Sequence, residues 1–237
     1  MLSQCDGRRN TVAAAFVGML MAGFAASALA QGPSCTTLGT QACAPTFGDA
    51  GDFTLPTCFA RAVVQRGIMT GCGGDRFCPV GLVTRADMAV FLENAKHLGA
   101  QYSMPAATGV FADVPASFPL ACWIEQFYHD GITAGCGGGN YCPDVVVTRA
   151  EMAIFILATK GVTPPACTTP RFTDVPCSHW AARWINELAN RCITGGCGNG
   201  NFCPNANITR QEMAVFLWAA FIRAPCTYPC TACATCS

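Results

Sequence analysis

Arg85, Arg149 and Arg210 hold the same place in three look-alike segments, Thr84-Arg85-Ala86-Asp87-Met88-Ala89, Thr148-Arg149-Ala150-Glu151-Met152-Ala153 and Thr209-Arg210-Gln211-Glu212-Met213-Ala214. Thr-x-x-Asp/Glu is the spelling of a capping box: the hydroxyl accepts from the third helical amide, and the carboxylate returns to the cap amide. Each arginine therefore opens a helix, with unpaired amides and the positive end of the helix dipole beside its guanidinium. A planar, two-pronged cation at such a tip suits a carboxylate ligand. The competing role is a plain ion pair with a nearby acid such as the capping carboxylate. Asp87, Glu151 and Glu212 are assigned to the caps, which account for them fully.

Asp49, Asp113 and Asp174 recur in a Phe-x-Asp opening and either accept ligand hydroxyls or order a turn before a helix. Trp180 either stacks on a flat ligand face or, four residues before Trp184, joins a helical core stripe. Gly71, Gly135 and Gly196, counted with the ligand-binding candidates, precede Cys72-x5-Cys78, Cys136-x5-Cys142 and Cys197-x5-Cys203, which read as local disulfides closing a loop. Cys58 and Cys122 share one offset, while the third segment has Cys177 and Cys192 instead. We therefore expect Cys177 to pair with Cys192, and Cys58 and Cys122 to find partners among Cys35, Cys43 and Cys167. The tail Cys226-x3-Cys230-x2-Cys233-x2-Cys236 has the density of a zinc or iron–sulfur site, but in an exported chain disulfides take precedence.

Catalytic spellings are missing. His97, His129 and His179 stand apart, without H-E-x-x-H or G-x-S-x-G, and cysteines spent on cross-links are poor nucleophiles. The Gly-rich loops, such as Gly135-Cys136-Gly137-Gly138-Gly139-Asn140, lack the acids of a calcium loop and the Lys of a phosphate loop. No enzyme, cofactor or metal is expected.

What must position these residues is a unit written three times. Starting at Phe47, Phe111 and Phe172, segments 64 and then 61 residues apart align without a gap for about fifty residues. Each reads helix, loop, helix. Trp123, Ile124 and Phe127, or Trp180, Trp184, Ile185, Leu188 and Ala189, form the stripe of the first helix. Met88/Phe91/Leu92/Ala95, Met152/Phe155/Ile156 and Met213/Phe216/Leu217/Ala220 form that of the second. One helix pair cannot bury a core alone, so the stripes must meet between units in one all-α domain, stapled by disulfides.

The order Phe-x-Asp-Val, Trp-Ala, Gly-Ile-x-x-Gly, Phe-x-Pro and Thr-Arg-Ala-Glu resembles the S-layer homology family over residues 47–222. The resemblance implies a pseudo-threefold prism around a central helical bundle. Its grooves between repeats would hold a cell-wall polysaccharide, often one carrying ketal-linked pyruvate, and the three arginines would meet that carboxylate. The chain departs from the family in its cysteine content. It departs again at the tryptophan position, where Leu55 and Pro119 stand in the first two units, and at the glycine ending the first helix, Gly67 and Gly131 but Cys192 in the third.

Residues 1–30 read as an export signal, with Arg8 and Arg9 before an apolar stretch that closes on Ala28-Leu29-Ala30. Losing Arg8, Arg9 and Asp6 with it leaves 12 of 14 basic and 13 of 14 acidic side chains. That balance gives no electrostatic reason for a nucleic-acid partner or an anionic membrane surface. No second apolar run reaches membrane-spanning length. Eighteen cysteines, seventeen without Cys5, indicate an oxidising compartment, and the odd one needs an outlet such as an intermolecular disulfide partner.

The expected organisation is a signal at 1–30, an N-terminal segment at 31–46, units at 47–97, 111–161 and 172–222, and a Cys-rich tail at 223–237. The expected function is non-covalent binding of a secreted envelope protein to cell-wall polysaccharide or a peptidoglycan-linked glycan. The alternative is a disulfide-cross-linked structural envelope protein without glycan binding.

Overall fold

The computed structural model describes residues 47–55, 57–98 and 102–223. The export signal, the N-terminal segment and all four cysteines of the tail lie outside them. After a 3-10 turn at Ala50–Asp52, six α-helices follow: α1 Thr57–Gln65, α2 Arg85–Lys96, α3 Ala121–His129, α4 Arg149–Thr159, α5 Ala182–Asn190 and α6 Arg210–Leu217. A π-helical turn, Trp218–Ile222, prolongs α6. Among the described residues extended pairing is confined to isolated bridges, and no helix is long and apolar enough to cross a membrane.

The helices start where the capping logic places them. Thr84, Thr148 and Thr209 each accept from the third helical amide, and Asp87, Glu151 and Glu212 each answer the cap amide. The second-helix stripes are buried throughout, with Met88, Leu92, Met152, Ile156, Met213 and Leu217 fully enclosed. On the first helices, Ile124, Phe127, Ile185 and Leu188 are enclosed in the same core. Trp180 departs from expectation. Helix α5 begins two residues later, at Ala182, so Trp180 lies off the stripe and is 62% exposed.

Helix packing runs between units rather than within them: α2 packs on α3, α4 on α5, and α6 returns to α1. This is why a short unit with one apolar stripe per helix is stable only beside its neighbours. A backbone triangle closes the ring, with Val83 N–H donating to Ile208 O, Ile208 N–H to Val147 O and Val147 N–H to Val83 O, all at 2.9–3.0 Å. Three extended stretches, one before each second helix, thus satisfy one another's amides at the junction of the three units.

Disulfides 72–78, 136–142 and 197–203 close the loops as their spacing implies, with Cα separations of 6.0–6.1 Å. Each closes a short loop and contributes about 2 kcal/mol by restricting the unfolded chain. The expected Cys177–Cys192 pair is corrected. Cys177 bonds Cys167, 10 residues upstream. Residues 167–177 run as turns and extended chain ahead of α5, whereas Cys192 sits beyond that helix, so the nearer partner is reached without crossing it. Cys167 is thereby also removed from the partners foreseen for Cys58 and Cys122; Cys122 and Cys192 are themselves disulfide-bonded.

Candidate functional site

The three arginines all point into seams, each toward the next unit around the ring. Arg85 Nε donates to Tyr141 O at 2.8 Å, Arg149 Nε to Phe202 O at 2.9 Å and Arg210 Nε to Phe77 O at 2.8 Å. Each guanidinium also lies between two rings of that next unit. Arg85 meets Tyr141 and Phe155, Arg149 meets Phe202 and Phe216, and Arg210 meets Phe77 and Phe91, at 4.8–5.6 Å from the ring centres. A weakly hydrated planar cation tolerates such a slot where an ammonium would not. Burial pulls the Arg149 and Arg210 guanidiniums below their usual value, while Glu212 with Asp174, and Asp87 with Asp49, pull back the other way.

This corrects the expected amide-rich tips. The three residues are only 5%, 4% and 9% exposed. The leading amides of the second helices are already engaged by loop carbonyls of the following unit. Arg85 N–H reaches Val145 O and Ala86 N–H reaches Pro143 O; Arg149 and Ala150 use Ala206 O and Pro204 O; Arg210 and Gln211 use Gly81 O and Pro79 O. The threonine cap takes the third amide, so the helix tip has little left to offer an anion. The sequence could not show this because the acceptors lie in another unit. Arg149 also faces a capping carboxylate at 3.5 Å, but it is Glu212 of the next unit rather than its own Glu151.

Two guanidinium nitrogens remain unsatisfied. Nη2 of Arg85 and Nη2 of Arg149 are buried without an acceptor in the protein. In the third seam the corresponding Nη2 of Arg210 donates to Thr70 O.

The aspartates resolve toward structure. Asp49 accepts from Phe77 N–H and Cys78 N–H at 2.9 and 2.6 Å, Asp113 from Tyr141 and Cys142 at 2.8 and 2.7 Å, and Asp174 from Phe202 and Cys203 at 2.8 and 2.7 Å. Each carboxylate ties the opening of its unit to the disulfide loop that presents the seam aromatic. Burial raises the Asp49 carboxyl, but the Phe77 and Cys78 amides outweigh it and hold it below the usual range. Asp49→Ala strands those two amides and is expected to cost about 2 kcal/mol in urea unfolding; a loss below about 0.5 kcal/mol would mean that water replaces the carboxylate freely.

The glycines are spacers. A Cβ on Gly135 or Gly196 would lie 2.3 Å from the carbonyl oxygen of Asn140 or Asn201, and both have positive φ, 89° and 92°. At Gly71 the corresponding clash is with Arg76 O at 2.5 Å. They let the two sides of the disulfide loop touch. Beside Asp49 lies an open groove of about 430 Å³ lined by Gly48, Asp49, Gly51, Asp52, Asp75 and Arg76. Arg76 spans its acids, 3.8 Å from Asp49 and 4.0 Å from Asp52. Trp180, stacked on His179 with ring centres 5.5 Å apart, is open to solvent.

Two linker-pinning positions escaped the sequence reading. Glu125 on α3 accepts the amides of Thr108, Gly109 and Val110, and Asn186, at the same offset on α5, holds Arg171 N–H and Thr169 O. They pin the linkers entering units 2 and 3. Polar residues at one shared offset within two apolar stripes were the available signal. Gln211 closes the ring, accepting from Thr54 and Leu55 N–H and donating to the Thr54 hydroxyl. Units 1 and 2 have only alanine there, Ala86 and Ala150.

The profile of the S-layer homology domain matches residues 171–214, which run from the linker of unit 3 into α6. Unit 3 thus carries an S-layer homology domain. The matched span contains the capping box of Thr209 and the seam residue Phe202, and units 1 and 2 repeat their hydrogen bonds. Among similar proteins, a cell surface protein of Thermoanaerobacter kivui is 34% identical over 119 residues, 48% of this chain and 16% of the relative. A surface-layer 125 kDa protein of Lysinibacillus sphaericus is 28% identical over 69% of this chain and 14% of its own length. A cellulosome-anchoring protein of Acetivibrio thermocellus is 27% identical over 66% and 36%. The chain therefore spans between about a seventh and about a third of these relatives.

Proposed function

We propose that this is a non-catalytic cell-surface anchoring protein, exported under the direction of residues 1–30, whose three units at 47–97, 111–161 and 172–222 hold a cell-wall polysaccharide non-covalently. The observation that carries the reading is the pair of unsatisfied cationic donors, Nη2 of Arg85 and of Arg149, buried in the first two seams. A buried charged donor without an acceptor is costly, and a carboxylate or hydroxyl of an acidic glycan entering the seam removes that cost. The third seam has spent its Nη2 on Thr70, so it contributes less. Exposed Trp180 supplies a flat face for a sugar ring. Weak contacts at more than one seam add through avidity on a repeating polymer.

A second reading has an observation of its own. The burial of all three arginines suits a structural envelope protein locked by disulfides, with no glycan bound. Co-sedimentation of the oxidised protein with purified sacculi separates the two. Wild type is expected in the pellet. Trp180→Ala, and Arg85→Lys with Arg149→Lys, each keeping a wild-type near-ultraviolet spectrum, are expected to shift the half-binding concentration at least about tenfold. Wild type remaining in the supernatant at every concentration favours the structural protein.

A further inference from the structure

We propose that Glu93, His97 and Asp130 form a binding site for a divalent transition metal of the zinc class, which clamps unit 1 to unit 2. Glu93 and His97 stand four residues apart on one face of α2 and just beyond its end, and Asp130 arrives from the end of α3 in the next unit. One ligand atom from each lies within 4.8 Å of the others, and His97 Nε2 is 3.5 Å from Glu93 Oε2. One nitrogen and two carboxylate oxygens, with a place left for water, is a donor set that zinc-class ions accept. Donors about 2 Å from one ion lie at most about 4 Å apart, so the cluster must close by under about 1 Å to hold it.

The second observation is Glu93 itself. Its side chain is wholly buried, yet neither carboxylate oxygen accepts from any protein N–H or hydroxyl. What lies beside it is the other two members of the cluster, His97 Nε2 at 3.5 Å and the Asp130 carboxylate. Two carboxylates thus share one ammonium, Lys96, which pairs with Asp130 and is partly open to water. A dication supplies the missing charge while Lys96 turns outward. The surroundings already orient the ligands. Gln126 Nε2 donates to Asp130 Oδ1 at 3.0 Å, leaving Oδ2 for the ion, and Tyr102 stacks on the His97 ring at 3.5 Å. Such outer contacts set ligand direction.

Nothing in the repeat demands this cluster. The positions of Glu93 are Leu157 and Trp218 in the other units, those of His97 are Gly161 and Ile222, and those of Asp130 are Arg66 and Arg191. The other two seams hold no counterpart to the triad.

Full-length oxidised protein, stripped with chelator and dialysed, is titrated with Zn²⁺ by calorimetry and with Co²⁺ by visible spectroscopy. Expected are one ion per chain, a higher melting temperature, and cobalt d–d bands without the intense thiolate charge-transfer band. Glu93→Gln should weaken binding at least about tenfold, and Lys96→Met, which removes the competing ammonium, should tighten it by a similar factor. The proposal is overturned by wild type that binds neither ion, by a Glu93→Gln variant as tight as wild type, or by a thiolate-dominated cobalt spectrum placing the ion on cysteines.

Discussion

Arg149→Ala should destabilise the oxidised protein by about 3–5 kcal/mol, among the largest losses open to a single side chain here. The guanidinium sits between Phe202 and Phe216, donates to Phe202 O and faces Glu212. Alanine leaves a cavity between two rings, an unpaired carbonyl and a carboxylate without its cation, all in the seam where α4 meets unit 3. Lysine keeps the charge but neither the planar stack nor the fixed Nε–H direction, so Arg149→Lys should recover less than about half of the loss. Urea unfolding under non-reducing conditions reads both variants. An alanine variant within about 1 kcal/mol of wild type would show the arginine to be a lodger in the seam rather than its rivet.

The second large effect is on pH. Burial, and after it the neighbouring Asp130 charge, push the Glu93 carboxyl up to about 8 against the partial help of Lys96. Between an unfolded value of 4.5 and a folded value of about 8, the native protein holds a proton that the unfolded chain has released. Stability from this group is therefore complete below pH 4.5 and is lost as pH rises toward 8. At ~1.4 kcal/mol for each step of one in pH across that interval, the loss between pH 5 and pH 8 reaches up to about 4 kcal/mol. Asp49, Glu125 and Asp130, all held below their ordinary values, act in the opposite sense and only at more acid pH. Stability measured in chelator should accordingly peak near pH 5 and fall toward pH 8. Glu93→Leu, which installs the residue unit 2 carries as Leu157, should abolish that fall and gain about 2–4 kcal/mol at pH 8. If the slope survives in the leucine variant, the proton resides elsewhere.

Much of the fold was legible because it is local. The three capping boxes join residues three apart, and the Cys-x5-Cys loops join residues six apart. The second-helix stripes follow helical periodicity. The Cys177 partner was misread because two cysteines absent from the other units look like partners by elimination, while chain geometry favours Cys167. Trp180 was placed on a stripe by its spacing from Trp184, but a spacing of four means a shared face only inside a helix, and α5 starts after Trp180.

The candidate site was legible in its residue types and hidden in its directions. Read alone, Thr-Arg-Ala-Glu at a helix start presents a cation and free amides outward, as for an anion. The structure turns each arginine inward, because the acceptors for Arg85, Arg149 and Arg210 are carbonyls 56, 53 and 133 residues away. Glu93 carries no mark in the sequence, and only the approach of α3 makes it a buried acid beside Asp130 and His97. The sequence by itself determined the unit, its caps, its loop disulfides and the apolar stripes, since each depends on residues a few positions apart. Tertiary structure alone decided which way the charges face, since desolvation and pairing depend on what the neighbouring unit brings to the seam.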